Sequence, residues 1–378
     1  MKIILKYGEF FCGPGGLALG AIQSSGIYGG KNYVIKHLWA NDIDEYACMT
    51  YRKNIAPNSP HSVLCGDVRR LDISILEPID IFAFGFPCND FSIVGEQKGM
   101  GGNYGALYSY GVNVLNKYKP KFFIAENVGG ITSANQGEAF KRIVSDLMNS
   151  GDGYNLTVNL YKAEEYGVPQ TRHRVVIVGI QKSLGLKFRV PKQTTKDSPI
   201  TAREAIEGVP IEIGAPNNEL TRQSATVVER LKHIKPGENV WNADLPDHLK
   251  LNVESAQLSQ IYKRLHPDKP SYTITGSGGG GTHGYHYFEN RALTNRERAR
   301  IQTFPDDFIF EGSKEKVRKQ IGMAVPPRLA NVIVSALLKT YSGEDYEWIP
   351  ENLSVDALLD VDRIKRSLDD VENEQSLK

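Results

Sequence analysis

A doubly wound α/β sheet carrying a smaller second domain is the fold class this chain predicts, on three observations. The chain opens on an apolar run, a glycine turn and a helical pattern: Ile3–Phe11, then Cys12-Gly13-Pro14-Gly15-Gly16, then about Leu17–Ser25. Such folds bring backbone N–H groups to a nucleotide-like ligand in this way. Further apolar runs end on acids or on a cysteine, at what would be strand ends. From about Val190 the alternation of strands and helices stops, and Pro191–Asn290 is polar, proline-rich and expected to be mostly irregular or β. The expected division is 1–190, 191–317, a helix in 318–342 returning to the first domain, and an acidic C-terminal appendix in 343–378.

A chain of 378 residues holds one large domain or two of ordinary size. Its 40% hydrophobic and 24% charged residues are ordinary globular values, so a substantial core is expected. Cys12, Cys48, Cys65 and Cys88 are widely spaced and form no CxxC pair. That argues against a disulfide framework or a zinc site and suits a reducing cytosol. His283 and His286 lack cysteine or acid partners at ligand spacing, so no metal is expected. Met1–Phe11 lacks a basic region followed by a long apolar core, and no apolar run has bilayer length, so neither a signal peptide nor a membrane partner is expected. With a net charge of +1, nucleic-acid contact would have to come from a local basic face. Arg172–Lys196 and Arg291–Arg328 are basic, whereas Gly343–Lys378 carries eleven acidic and four basic side chains.

In chain order, the glycine turn could serve a ligand or a tight structural corner. The second strand, Val34–Asn41, ends at Asp42-Ile43-Asp44. An acid there commonly accepts hydrogen bonds from ribose hydroxyls, although Asp42 or Asp44 could instead cap the helix starting near Glu45. A third element ends at Cys65-Gly66-Asp67-Val68. Strand ends offering glycines and carboxylates in succession favour an adenosine-bearing cofactor over a bare phosphate.

Ile79–Phe84 reads as a buried strand, stopped by Gly85-Phe86-Pro87, with Cys88 on the loop beyond. Pro87 fixes its own φ and biases Phe86 toward an extended conformation. The thiol is a candidate nucleophile or a small buried side chain filling space. Val94–Gly105 is glycine-rich and reads as a lid or as a plain surface loop. After a helix (about Leu107–Lys117), the strand Lys121–Ala125 ends at Glu126-Asn127-Val128, placing a carboxylate on the same rim as Cys88. Beyond a helix over Glu138–Ser150 and an element at Val158–Ala163, Tyr166–Arg174 leads into the strand Val175–Ile180. Arg172 and Arg174, at alternate positions of an extended segment, would point the same way and clamp a phosphate or carboxylate, or form a solvated pair. In the second domain Ser271–Thr275 reads as a strand running into Gly276–His286. Its glycines could let backbone lie against a base edge, with Thr282, His283, Tyr285 and His286 reading a major groove; a hairpin loop explains them equally well.

With these residues in view, the chain resembles the prokaryotic-type DNA (cytosine-5) methyltransferases over roughly Ile4–Leu338. The blocks carrying the resemblance are Phe11-x-Gly-x-Gly-Gly16, the acids Asp42 and Asp67, Gly85-Phe-Pro-Cys88 and Glu126-Asn127-Val128, followed by Gln170-x-Arg172-x-Arg174, Arg291-x-Leu-Thr-x-Arg-Glu297 and Gly322-x-Ala-Val-Pro326. The resemblance implies a Rossmann-like fold dependent on S-adenosylmethionine, with 191–317 as a target-recognition domain. The implied reaction methylates C5 of a flipped-out cytosine in a short specific double-stranded DNA sequence and releases S-adenosylhomocysteine. By the same resemblance Phe11, Gly13, Gly15 and Gly16 help hold the cofactor, Asp42 meets its ribose and Asp67 its adenine. Ile43, Val68, Pro87 and Leu107 would pack nearby, with Ala324 and Val325 completing the pocket.

Cys88 would add to C6 of the cytosine, Glu126 would hold the N3 and amino edge, Arg172 would approach the O2 edge or the phosphate, and Arg174 would position Cys88. Ser92 and Val94 would fill the gap left by the flipped base, Gly279, Gly280, Thr282 and His283 would read the duplex, and Arg296 would support that region or meet phosphates. The implied setting is a monomer in the cytoplasm of a bacterium or archaeon, at the nucleoid, with a cognate restriction endonuclease encoded nearby. Three departures bear on cofactor affinity rather than on the reaction: Glu9 where the family usually has Asp, Met323 where Asn is common, and Ile43 in place of a frequent aromatic. An RNA cytosine-5 methyltransferase on the same scaffold and an inactive DNA-binding regulatory relative are the competing readings. A nicotinamide dehydrogenase, prompted only by the glycine turn, leaves Cys88 and Gln170–Arg174 unexplained.

Overall fold

Along β5 (Ile81–Phe84), Ile81 and Ala83 enter one apolar core while Phe82 and Phe84 enter another. The same alternation runs through β6 (Phe122–Val128) and β9 (His173–Gln181), as expected of strands covered on both faces. The computed structural model describes residues 2–87, 107–132, 137–252, 259–276 and 280–359. Among these, the central sheet has the order β2 (Gly26–Tyr28), β3 (Lys31–Asp42), β1 (Lys2–Phe10), β5, β6, β9 and β7 (Tyr154–Lys162), with β4 (Val63–Cys65) on the end of β3. Strands β1, β3, β4, β5 and β6 pair in parallel, whereas β2 and β9 run against their neighbours. The chain goes from β1 to β3 on one side and later to β5 on the other. The crevice this leaves at the strands' carboxyl ends is where such sheets bind ligands.

Helix α1 (Gly16–Gln23) covers one face together with α9 (Pro327–Ser342); Leu17, Ala18 and Ala21 share that core with Leu329, Ile333 and Leu337. The other face is covered by α3 (Tyr108–Tyr118) and α4 (Glu138–Met148). Helix α2 (Glu45–Asn54) follows β3. The later region has apolar clusters of its own and little regular structure: α5 (Ala202–Glu207), α6 (Ala225–Lys232), and the short β11 (Ser271–Tyr272), which pairs in parallel with β8 (Gln170–Thr171). The expected strand over 271–275 is cut short because the Ile274 N–H turns to the Gln170 side chain. Helix α7 (Asn295–Ile301) begins where Thr294 and Glu297 form a capping box. By composition and length, Lys314–Ser342 could cross a membrane, contrary to the expectation that no run is long enough. Of its most apolar 18-residue window 67% is buried in this protein, and Ala324–Pro326 divides α8 (Lys314–Met323) from α9.

The acidic segment is not a loose appendix over its described part. Its β12 (Trp348–Ile349) pairs antiparallel with β10 (Val190–Pro191). The Asn352 side chain then accepts from Leu160 N and donates to Leu160 O, and Leu353 bridges Val158, so the open edge of β7 is covered. Leu353, Val355 and Leu358 pack on the core beneath. A chain ending at Ser342 is therefore expected to lose about 2–4 kcal/mol and to aggregate on heating. Thermal unfolding checks this; an unchanged midpoint would mean that the segment only hangs from the domain.

Candidate active site

The turn after β1 departs from ordinary backbone geometry at several residues. Phe11 has φ 54°, and Gly15, at φ 98°, ends the turn in a conformation that favours glycine. Gly16 starts α1 so close to the chain that a Cβ there would lie 2.2 Å from the Val325 carbonyl. The glycine turn is thus both a tight corner and one wall of a cavity of about 250 Å³. Among the described residues no side chain caps the first N–H groups of α1.

Asp42 and Asp44 divide the two tasks that the sequence left open. Asp44 caps α2, accepting from Tyr46 N at 3.1 Å and Ala47 N at 3.3 Å. Asp42 instead lines the cavity and ties the turn to β3, accepting from Gly13 N at 2.8 Å and Asp44 N at 2.9 Å. Burial raises its carboxyl above the usual value, and those N–H groups oppose the rise. Asp67 is half-buried and held by the Arg69 guanidinium at 2.6–2.9 Å, which pulls its carboxyl down to about 2. Val68 and Leu107 are buried in the cavity wall, whereas Ile43 and Met323 each leave 68% of their surface exposed there. Phe11, Gly13, Gly16, Pro87, Ala324 and Val325 line the same cavity; Gly15 sits behind the turn, against Tyr51 and Ile55.

Cys88 lies outside the described residues, as do Ser92, Val94, Gly279 and the glycine-rich stretch expected to form a lid. The chain is described up to Pro87, and Asn127 holds the turn just before it by donating to Phe86 O at 3.0 Å. Glu126, near the end of β6, reaches the cavity beside Gly85. Arg174 Nε stands 2.9 Å from Glu126 Oε1 across the β6–β9 pair. Burial raises the Glu126 carboxyl, opposed first by Arg174 and then by Arg172.

Arg172 corrects the picture of two parallel clamping guanidiniums. It is 1% exposed and donates to Ile274 O, Gly322 O and Ala324 O at 2.9–3.2 Å. Nearby, Gln170 and Gln302 meet side chain to side chain, and Gln302 also donates to Ala324 O. The Gln-x-Arg half of the motif is thus a joint between three chain segments, and only Arg174 pairs with the acid.

Of the residues expected to read DNA, Gly280 and Thr282 form a short 3₁₀ turn, and His283 is half-buried against Arg318. Arg296 does not face a phosphate. It is fully buried and donates to Pro216 O, Pro305 O and Phe308 O, so freeing it would break the local fold. Tyr285 and His286 are buried too, at 0% and 4% exposure, and His286 Nδ1 accepts from the backbone. Sequence reasoning missed Lys319 and Gln320, which line the cavity from α8; the cue was their place one turn before the Gly322 block.

Comparison with known proteins gives a consistent result. Residues 5–339 match the family model described as C-5 cytosine-specific DNA methylase. The chain is 58% identical over 367 residues to the type II methyltransferase M.BbvI of Brevibacillus brevis, covering 94% of this chain and 98% of that one. It is 40% identical to M.NgoFVII of Neisseria gonorrhoeae, over 90% and 87% of the two chains. Among solved structures it is similar to a candidate DNA modification methyltransferase encoded within an Escherichia coli prophage, with a TM-score of 0.68 and 25% identity over 89% of this chain and 99% of that chain.

Proposed function

Because the chain belongs to the C-5 cytosine-specific DNA methylases, we propose the following division of labour for its methylation of C5 of cytosine in DNA. The observation that carries it is one continuous cavity running from the glycine turn and Asp42 to Pro87 and Glu126. The cavity residues fit S-adenosylmethionine: a backbone cradle at Gly13–Gly16, a carboxylate at each of two strand ends, and exposed apolar walls at Ile43 and Met323. When bound, that cofactor supplies an electrophilic methyl group on a sulfonium. Asp42 accepts hydrogen bonds from the ribose, and Asp67, ionised and held by Arg69, accepts from the adenine amino group. Phe11, Gly13, Gly15 and Gly16 shape the turn around it, while Ile43, Val68, Pro87, Leu107, Ala324 and Val325 give apolar contact.

Cytosine C5 is a weak nucleophile, so the thiolate of Cys88 adds at C6 and makes the ring enamine-like. Glu126 holds the N3 and amino edge and shares a proton with N3 as C6 is attacked, a role that suits a carboxyl raised by burial. Arg174 fixes the Glu126 carboxyl, and Arg172 fixes the joint behind it. Loss of the C5 proton then expels Cys88. A stacked base is out of reach, so the cytosine is flipped out of double-stranded DNA, within a short sequence read by the region around Gly280–His283. The expected setting is a cytoplasmic monomer protecting DNA from a cognate restriction endonuclease.

Bisulfite sequencing of DNA from a methylation-free host expressing the wild type or Cys88→Ala tests this. One short protected motif, seen with the wild type alone, is expected. No protected cytosine, from a folded protein that binds S-adenosylmethionine, would redirect the assignment to RNA substrates.

A further inference from the structure

Glu9 is 2% exposed and lines the cofactor cavity beside Asp42, yet no backbone N–H among the described residues donates to it. It is instead the inner end of a chain of side chains. The Tyr51 hydroxyl, on α2, lies 3.4 Å from Glu9 Oε2 and 3.2 Å from His37 Nδ1, on β3. His37 Nε2 lies 2.8 Å from Ser62 Oγ, in the turn before β4, and the Ser62 hydroxyl donates to Ser59 O at 2.7 Å.

One of the two polarities open to this chain has the Ser62 hydroxyl donating to Ser59 O. Ser62 has one hydroxyl proton and directs it at Ser59 O, so its oxygen accepts from His37 Nε2–H. A neutral imidazole protonated at Nε2 accepts at Nδ1, and Tyr51 donates there. Tyr51 then has no proton left for Glu9, and its oxygen can only accept. In this polarity the Glu9 carboxyl is the donor to Tyr51 and carries a proton; in the opposite one Tyr51 donates to its carboxylate. Burial acts in the same sense, holding Glu9 well above the usual carboxylate range and pulling His37 down to about 4. The other titratable groups facing Glu9 are Tyr7 and Cys12 from its own segment and Asp42 from β3. Asp42 already accepts two backbone N–H groups, which favour its ionised form over that of Glu9.

We propose that Glu9, Tyr51, His37 and Ser62 form a proton wire through which Glu9 releases its proton to solvent when the positively charged cofactor enters the cavity. The proposal rests on the S-adenosylmethionine reading above. Glu9 passes its proton to Tyr51 O, Tyr51 passes its own to His37 Nδ1, and His37 passes the Nε2 proton to Ser62. Ser62, which is partly exposed, gives its hydroxyl proton to water. Afterwards every bond points the other way: Tyr51 donates to the Glu9 carboxylate, His37 Nδ1–H to Tyr51, and Ser62 to His37 Nε2. In both states every link from Glu9 to Ser62 keeps its hydrogen bond, so the only new charge in the interior is a carboxylate facing a cation. Product without the sulfonium charge gives Glu9 less reason to ionise, and the wire thus favours substrate over product.

Isothermal titration calorimetry of S-adenosylmethionine in phosphate and in Tris at about pH 7.5 reads the protons released. We expect about one per cofactor bound by the wild type, almost none with Glu9→Gln, and fewer when S-adenosylhomocysteine is the ligand. Tyr51→Phe removes a single hydroxyl and is expected to lower the release and weaken binding; it decides the matter should Glu9→Gln fail to fold. A wild type that binds with no proton release, or undiminished release from either variant, overturns the wire. A wild type that does not bind S-adenosylmethionine overturns the cofactor reading, and the wire with it.

Discussion

Glu126→Gln is expected to lower the methylation rate by roughly 10²–10⁴-fold while cofactor and duplex affinity change little. Glutamine keeps the shape and an oxygen for Arg174, which sits 2.9 Å from the carboxylate. What it loses, on the proposed role, is a proton shared with the cytosine ring as C6 is attacked. The effect on folding has a definite sign. Burial raises the Glu126 carboxyl, so its contribution to stability is fully present while it is protonated and is lost as pH rises through its folded value. A neutral glutamine does not suffer that loss, and the melting temperature near neutral pH should stay level or rise. Single-turnover methyl incorporation and thermal unfolding on the same preparations check both halves. A rate within a few-fold of the wild type would remove Glu126 from the chemistry.

The strand ends of the first domain were legible because their signals are local. A glycine turn, an acid closing a β-type run and a proline after a buried strand each act within a few residues, and Gly13, Asp42, Pro87 and Glu126 line one cavity. The alternatives at Asp42 needed a structure to decide them, since Asp42 and Asp44 are chemically alike and only the N–H groups they meet separate them. The arginines were the least legible: Arg296 could support its region or meet phosphates, and Arg172 and Arg174 could clamp together or form a solvated pair. Arg172, Arg174 and Arg296 read alike in sequence, yet Arg174 holds the acid while the other two are spent on backbone carbonyls of distant segments. The acidic segment misled for the same reason. Its net charge suggested an acidic appendix, whereas Asn352 and Leu353, two residues without charge, attach it to the edge of β7. His37 and Ser62 lie in no recognisable block, and only the fold brings them into line with Glu9.

Arg172→Ala should give the largest loss of stability, on the order of 3–5 kcal/mol, because it strips the donor from the Ile274 and Gly322 carbonyls, takes one of two donors from Ala324 O and leaves the space of a guanidinium unfilled. Ile274 O lies at the entry to the glycine-rich segment of the second region, and Gly322 O and Ala324 O lie on the strip that closes the cofactor cavity. Gly322 approaches that segment so closely that a Cβ on it would stand 2.0 Å from Gly276 N. One side chain therefore keeps the region assigned to DNA reading, the cavity wall and the strand bearing Arg174 in register. Arg172→Lys is not a conservative change here, because an ammonium cannot reproduce the planar fork that serves carbonyls on separate segments. Arg174→Ala provides the contrast: it loses the Glu126 pair and one bond to His173 O, so it should lower the melting temperature less than Arg172→Ala and yet reduce the rate. Thermal unfolding of the three variants separates a joint from a clamp. An Arg172→Ala protein as stable as the wild type, with activity alone reduced, would return Arg172 to direct contact with the target nucleotide.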